Sequence, residues 1–338
     1  MNKTNKILLS VLALQIILTG AIFYGEHSSA SKPTPLALLG VDQSQIDHII
    51  IDDGKGKKAI LAKVNNQWQL PDYHKLPADQ NTVKKALQAL ADIHNSWPVT
   101  TTSSSRERFK VGDDNYLIRI SLAEGDKKLK DIYLGTSPGF RQIHVRKQGQ
   151  DGVYNVKLDS YDYSATDKYW LDHGLLRPTG SIASIEGPDY SLIKQGDNWQ
   201  SNDKKNDKVD NKEVDKLIGA LTALNVDDVV EKKPQTANYV LTVNAADKSF
   251  DYHFYAQDKN YLVTRNDYPE VFKISKTDFD KITGLTKTQL VKSDDKSANN
   301  NMADKSAGKA AAQAVTVSHL PHHLQHQSLQ TASQQHHS

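Results

Sequence analysis

The sequence predicts an α+β fold. An N-terminal transmembrane helix leads into two tandem repeated modules, each a mainly antiparallel sheet with one helix, and a disordered C-terminal tail follows. Three observations predict it. The stretch from Trp68 to Ile93 aligns without a gap onto Trp199 to Leu224 at a constant offset of 131, with identities that include Trp68/Trp199, Asp79/Asp210 and Leu90/Leu221. In each copy one segment repeats its apolar residues at helical spacing, between segments that alternate apolar and polar residues as half-buried strands do. Finally, both ends differ from the body: Ile7 to Phe23 carries no charge, and from Ser293 the composition turns to Ser, Asn, Ala, Lys, Gln and His.

Lys3 and Lys6 precede the uncharged run of 17 residues. As a helix at about 1.5 Å per residue it spans roughly 25 Å, enough to cross a bilayer core with Tyr24 at the interface. Lysines on the N-terminal side keep that end in the cytoplasm and send the rest across. Residues 1–25 therefore read as a cytoplasmic N-terminus and single-pass membrane anchor, held through residues 7–24, with the body on the extracytoplasmic side. Cleavage after Ser28-Ser29-Ala30 is the competing reading, although signal-peptide apolar regions usually stop at about 7–15 residues. Residues 26–40 read as a linker, with Pro33 and Pro35 discouraging regular structure.

The first module is assigned to residues 41–165. Ile46 to Ile51 and Ala59 to Val64 form a hairpin around Asp53-Gly54-Lys55-Gly56, and Gln67 to Leu70 adds a short third strand. Asp79 is positioned as the N-cap of a helix whose Val83, Ala86, Leu87, Leu90 and Ile93 make one stripe. Tyr116, Ile118 and Ile120 then share a strand face, and Leu129 to Leu134, Gln142 to Arg146 and Val153 to Lys157 continue a meander. The second module, residues 166–291, repeats the plan. Asp210 and Glu213 form a capping-box-like pair ahead of Val214, Leu217, Ile218, Leu221 and Leu224. Tyr239, Leu241 and Val243 share a face, and Phe250 to Tyr255, Tyr261 to Arg265 and Val271 to Ile274 are the remaining strands.

Composition narrows the chemistry. With 42 basic and 40 acidic side chains the net charge is +2, without the basic excess of a nucleic-acid binder. The absence of cysteine excludes thiol nucleophiles, disulfides, cysteine zinc sites and a lipoprotein anchor. Gly135-Thr136-Ser137-Pro138-Gly139 spells the letters of a nucleophile elbow, but Pro138 lacks the N–H that the oxyanion needs and a strand follows where a helix should. It reads as a hairpin turn. Asp203, Asp207, Asp210 and Glu213 lack a calcium-loop frame. Asp52-Asp53, Asp113-Asp114 and Asp227-Asp228 read as turn caps. Trp68 and Trp199 read as anchors between sheet and helix, with a sugar platform as the alternative, and Trp97 and Trp170 as packing at the module junction. Arg141, Arg146 and Arg177 read as scattered ion-pair residues, with an anion site as the alternative. No catalytic residue and no cofactor site is identified. In residues 292–338, His319, His322, His323 and His326 recur at helical spacing and form a weak candidate site for Zn²⁺, Cu²⁺ or Ni²⁺.

The chain also shows Ile46 with Ile49, Trp68 with Leu70, Pro77-Ala78-Asp79, and the run from Phe109 and Val111 to Tyr116, Ile118 and Ile120. Leu134-Gly135, Phe140-Arg141, Val153 to Val156 and Leu175-Leu176-Arg177 follow in order. In this combination it resembles the bacterial domain-of-unknown-function 4340 family over roughly residues 1–285. The resemblance implies a membrane-anchored periplasmic protein associated with gliding-motility-type auxiliary proteins of ABC transporters, and carries no catalytic residues with it. The expected function is accordingly that of a non-enzymatic accessory partner of an ABC-type envelope transport complex. An independent envelope module binding a glycan, a peptide or a metal is the alternative.

Overall fold

The computed structural model describes residues 12, 14–19, 36–95, 97–203 and 208–292. The first module contains β1 (Leu36–Ala37), β2 (His48–Asp52), β3 (Lys58–Val64), β4 (Gln67–Leu70) and β5 (Leu76–Pro77). Helix α1 (Gln80–Ala91), β6 (His94–Asn95), α2 (Ser103–Arg108), β7 (Ile118–Glu124), β8 (Lys127–Leu134), β9 (Ile143–Lys147), β10 (Tyr154–Val156) and α3 (Asp167–Trp170) complete it. The second module contains β11 (Ile182–Glu186), β12 (Ser191–Gln195), β13 (Asn198–Ser201), β14 (Lys208–Val209), α4 (Asn211–Thr222) and β15 (Val226–Val230). It continues through β16 (Tyr239–Ala245), β17 (Lys248–Gln257), β18 (Asn260–Arg265), β19 (Val271–Ile274), α5 (Lys276–Thr283), α6 (Lys287–Leu290) and β20 (Val291–Lys292).

Each module is built on an eight-stranded antiparallel sheet, ordered β10-β9-β8-β7-β2-β3-β4-β5 in the first and β13-β12-β11-β16-β17-β18-β19-β15 in the second. Reversing the second order superimposes seven strands on the first: two meanders, 2-3-4 and 7-8-9-10, meet where β2 pairs with β7, as β11 pairs with β16. The eighth strand differs. β5 extends the first sheet beside β4, whereas β15 extends the second at the opposite edge, beside β19. A helix connects the two meanders because the chain leaving β4 or β13 must return to the middle of the sheet. Its apolar stripe (Val83, Ala86, Leu87 and Leu90; Val214, Leu217, Ala220 and Leu221) is buried against the sheet's inner face.

The caps agree with the sequence. The Asp79 carboxylate accepts from the N–H groups of Asn81 and Thr82, and Asp210 accepts from Lys212. Glu213 does not complete a capping box; it takes the Lys216 ammonium at 2.7 Å. Trp68 and Trp199 are 6% and 5% exposed. The backbone N–H of Trp68 donates to Gln80 Oε1 (2.8 Å) and the backbone N–H of Trp199 to Asn211 Oδ1 (2.9 Å), so the first helical side chain of each copy ties the helix to its sheet.

Four expectations are corrected. Each module carries short helices besides its long one: α2 and α3 in the first, α5 and α6 in the second. Helix α5 buries only Phe279 and Ile282, too sparse a stripe to stand out in the sequence. The segment read as linker ends earlier than residue 40, because β1 pairs with β6 and Leu38 and Leu39 are buried in the core. Residues 166–171 close the first module rather than open the second. Leu171 bridges Ala78 as Val291 pairs with Val209, and the N–H groups of the cap residues Asp79 and Asp210 donate to the carbonyls of Trp170 and Leu290. Lastly, Tyr116 does not share the face of Ile118 and Ile120. It turns to the opposite face of the sheet, where it packs with Phe109, Val111, Tyr133 and Val153. Tyr239, Leu241 and Val243 do share the core face.

Of the apolar run from Ile7 to Phe23, residues 12 and 14–19 are helical and exposed. Among the described residues no helix is long and apolar enough to cross a membrane. The rest of the run, and the whole tail with His319, His322, His323 and His326, lie outside the described residues.

Candidate functional site

Most of the residues singled out in the sequence are used to hold the fold. Ser137 donates its hydroxyl to the carbonyls of Gly139 and Gln142, both at 2.7 Å, closing the turn between β8 and β9. Asp203, Asp210 and Glu213 each face a different lysine (Lys287, Lys292 and Lys216) and do not converge; Asp207 lies outside the described residues. Asp52 and Asp53 cap the turn at Gly54 to Lys57 as read. Among the described residues no group of three or more His, Asp or Glu side chains is arranged to hold a metal.

The arginines read as scattered are not equivalent. Arg146 is buried on the outer face of the first sheet, donating to the Val111 carbonyl (2.5 Å) and to Asp113 (2.7 Å), with its guanidinium 4.6 Å from the Tyr133 ring. The Arg146 hydrogen bond holds the Asp113 carboxyl below the usual carboxylate range. Burial, with Asp113 as hydrogen-bond partner, pushes the Tyr133 hydroxyl up to about 12. Gly135 belongs to the same clasp, since a Cβ there would lie 2.0 Å from the Phe109 carbonyl. The Phe109, Val111 and Leu134-Gly135 motifs thus form one crossing of backbone over sheet.

Arg177 donates to the Leu224 carbonyl and to Asn225. Arg265, which the sequence reading passed over, clamps the connection between the modules. It donates to the carbonyls of Leu175 and Arg177 and to Asp267, and lies over the rings of Phe250, Tyr252 and Tyr268. The Tyr252 hydroxyl takes the Leu176 carbonyl at 2.7 Å. Every carbonyl of Leu175-Leu176-Arg177 is thereby bound. The signal that would have exposed this role is the echo Leu38-Leu39 and Leu175-Leu176, a buried leucine pair ahead of each copy.

The modules also meet through side chains. Tyr73 donates to Asp228 Oδ1 at 2.5 Å, and Lys168 reaches Asp228 Oδ2 at 3.0 Å. Burial and the Asp228 acceptor push Tyr73 up to about 12. Burial alone would raise Asp228, but the hydrogen bonds from Tyr73, Lys168 and the Val229 N–H outweigh it and leave the carboxyl lowered. Asp228 therefore sits within β15 as a junction residue, not as a turn cap. Trp170 is 1% exposed inside the first module, with its indole N–H on the Ser164 carbonyl, and Trp97 is 68% exposed. Neither packs at the junction as expected.

Two surface features remain. An open cleft of about 270 Å³ on the second sheet is lined by Lys233, Asp251, His253, Arg265 and Tyr268. The first module also exposes Phe140 (88%), Tyr161 (85%) and Trp97 at separate surface positions, with the Arg141 guanidinium 5.1 Å from the Phe140 ring centre. The sequence places Phe140-Arg141 in a motif but does not show that the ring faces solvent. Exposed aromatics beside an arginine are the residue types that carry binding energy at interfaces.

No curated protein and no solved structure matches the chain significantly. One family model matches, described as a domain of unknown function (DUF4340), over residues 68–248, a span that runs from Trp68 of the first copy to Lys248 of the second. That span is more than half of the chain, and it carries both tryptophan-to-helix ties, the Arg146 clasp and the clamped leucine motif: the chain belongs to the DUF4340 family.

Proposed function

We propose that this protein is a non-enzymatic accessory subunit, tethered to the bacterial inner membrane through residues 7–24 and acting from the periplasm by docking to an ABC-type envelope transport complex, as a gliding-motility-like auxiliary component. The observation that carries the reading is the division of labour among the side chains. Arg146, Trp68, Trp170 and Trp199 are used internally, while Phe140, Tyr161 and Trp97 face outward. The lysine-flanked apolar run supplies the tether. Confinement near a membrane raises effective concentration to the millimolar range for short flexible links, so modest docking surfaces suffice.

Crosslinking the full chain in native membranes, followed by mass spectrometry of its adducts, tests this. Recovery of an ABC-type permease or its auxiliary protein is expected, and deletion of residues 1–25 should reduce that recovery at least about tenfold. Turnover of a substrate by the purified chain without a partner would overturn it. The cleft beside His253 and Asp251 favours a second reading, an independent module for a small polar ligand such as a glycan or peptide terminus. Saturable binding of such a ligand, abolished by Asp251→Ala, would favour that reading.

A further inference from the structure

We infer that the cleft on the outer face of the second sheet binds the carboxylate of a small ligand, such as a peptide carboxyl terminus or a uronic acid. This rests on the second reading above, an independent small-ligand module, and adds the charged group that the module recognises.

The duplication shows why the cleft exists. On β8 and β9 of the first module Tyr133 stands opposite Arg146, one position from the Leu134·Val145 pair. On the equivalent β17 and β18 His253 stands opposite Thr264, one position from Phe254·Val263. The neighbouring strand matches as well, with Ser121 opposite Asp131 in one copy and Thr242 opposite Asp251 in the other. In the first copy the Arg146 guanidinium lies over the Tyr133 ring and is met by the Val111 carbonyl and Asp113. In the second a threonine stands where that arginine would be. The connection from β15 to β16 instead packs Val230 and Ala237 against Tyr255, Leu262 and Val271. The space of about 270 Å³ stays open beside His253 and Thr264, with Lys233 of the same connection at its side.

The polar groups of the cleft divide into those already engaged and those still free. Asp251 accepts from the Thr242 hydroxyl at 2.7 Å and from the Asn266 amide at 3.3 Å. Asn266 also donates to the Ser249 carbonyl and accepts from the Asp251 N–H. Arg265 is neutralised by Asp267, with contacts at 2.5 and 2.8 Å. Among the described residues the Lys233 ammonium, the His253 ring and the Thr264 hydroxyl have no hydrogen-bond or ion-pair partner. Thr264 is only 7% exposed, so the fold desolvates this side chain without satisfying its hydroxyl. All three groups can donate and Lys233 is positive, whereas the carboxylate and amide lining the cleft are occupied. A negative group that only accepts completes the set. A carboxylate does so with a single charge, while Asp251 in the same wall opposes the second charge of a phosphate.

Isothermal titration calorimetry on the full chain tests this with two matched pairs: N-acetyl-dialanine against its C-terminal amide, and glucuronate against glucose. Both acids carry the recognised group, and the tighter of the two identifies its source. The parent is expected to bind at least one acid saturably, at least about tenfold more tightly than its neutral partner. Lys233→Ala and Thr264→Val should each weaken that acid about tenfold, as loss of a hydrogen bond to a charged group does, while Thr264→Ser retains it. Lys233 is exposed, so its variant keeps the parent fold even where substitution of the buried threonine disturbs it. Equal binding of acid and neutral partner, or binding that Lys233→Ala leaves unchanged, overturns the carboxylate assignment while a small-ligand module stands. If no member of either pair binds, the inference and that reading fall together.

Discussion

Tyr73 shows how much one hydroxyl couples in this molecule: it joins a turn of the first module to β15 of the second across 155 residues of sequence. The folded tyrosine is raised from 10.0 to about 12, so its contribution is complete below about pH 10 and is lost as the pH rises toward 12. Asp228 is lowered, so its contribution is complete above the ordinary carboxylate range and is lost as the pH falls through its depressed value. Tyr73→Phe should therefore destabilise by about 1 kcal/mol near neutrality. Urea unfolding of parent and variant at neutral pH and near pH 12 checks this; a penalty that persists undiminished near pH 12 would show that the hydroxyl is not the source. The tryptophans offer a second residue-scale test. Trp68→Ala and Trp199→Ala should each cost about 3–5 kcal/mol, because both rings fill their module's core. A near-zero change at either would mean that the ring is not a core anchor.

At the scale of elements, the two helices test the equivalence of the copies. Asp79 satisfies two amide groups and Asp210 one. Asp79→Ala should cost about 1–2 kcal/mol and Asp210→Ala about 0.5–1 kcal/mol, measured as shifts in the urea midpoint at constant slope. Equal losses would argue that the Asp210 pairing with Lys292 contributes as much as the second amide. The same comparison shows what was legible in sequence. Helices, caps and meanders were readable because the duplication displays each pattern twice, so that Val83 and Val214 or Asp79 and Asp210 confirm one another. Helix α5 was not, because two apolar residues across eight positions give little periodicity. Neither was the outward turn of Tyr116, since alternation holds only along a continuous strand and β7 begins at Ile118. The Arg146 and Arg265 ties depend on contacts with distant carbonyls, which leave no trace in local spacing.

For the whole molecule, the apolar core among the described residues runs from Leu38 to Val291. Deleting residues 1–25 should leave the fold intact, with unchanged circular dichroism and a cooperative urea transition; loss of structure would show that the removed segment supports the core. The core's boundaries also set how the molecule carries mechanical load. A pull on the chain at Leu36 does not first unzip either eight-stranded sheet. It meets the two-residue pairing of β1 with β6, the Lys147 ammonium on the Ala37 carbonyl, and then the sockets of Leu38 and Leu39. Between the modules the same tension reaches Leu175-Leu176-Arg177, where Arg265 and Tyr252 grip successive carbonyls. Each copy therefore has its own strain relief ahead of its sheet, so that force is borne by short, re-formable contacts while the long strand ladders behind them stay unloaded.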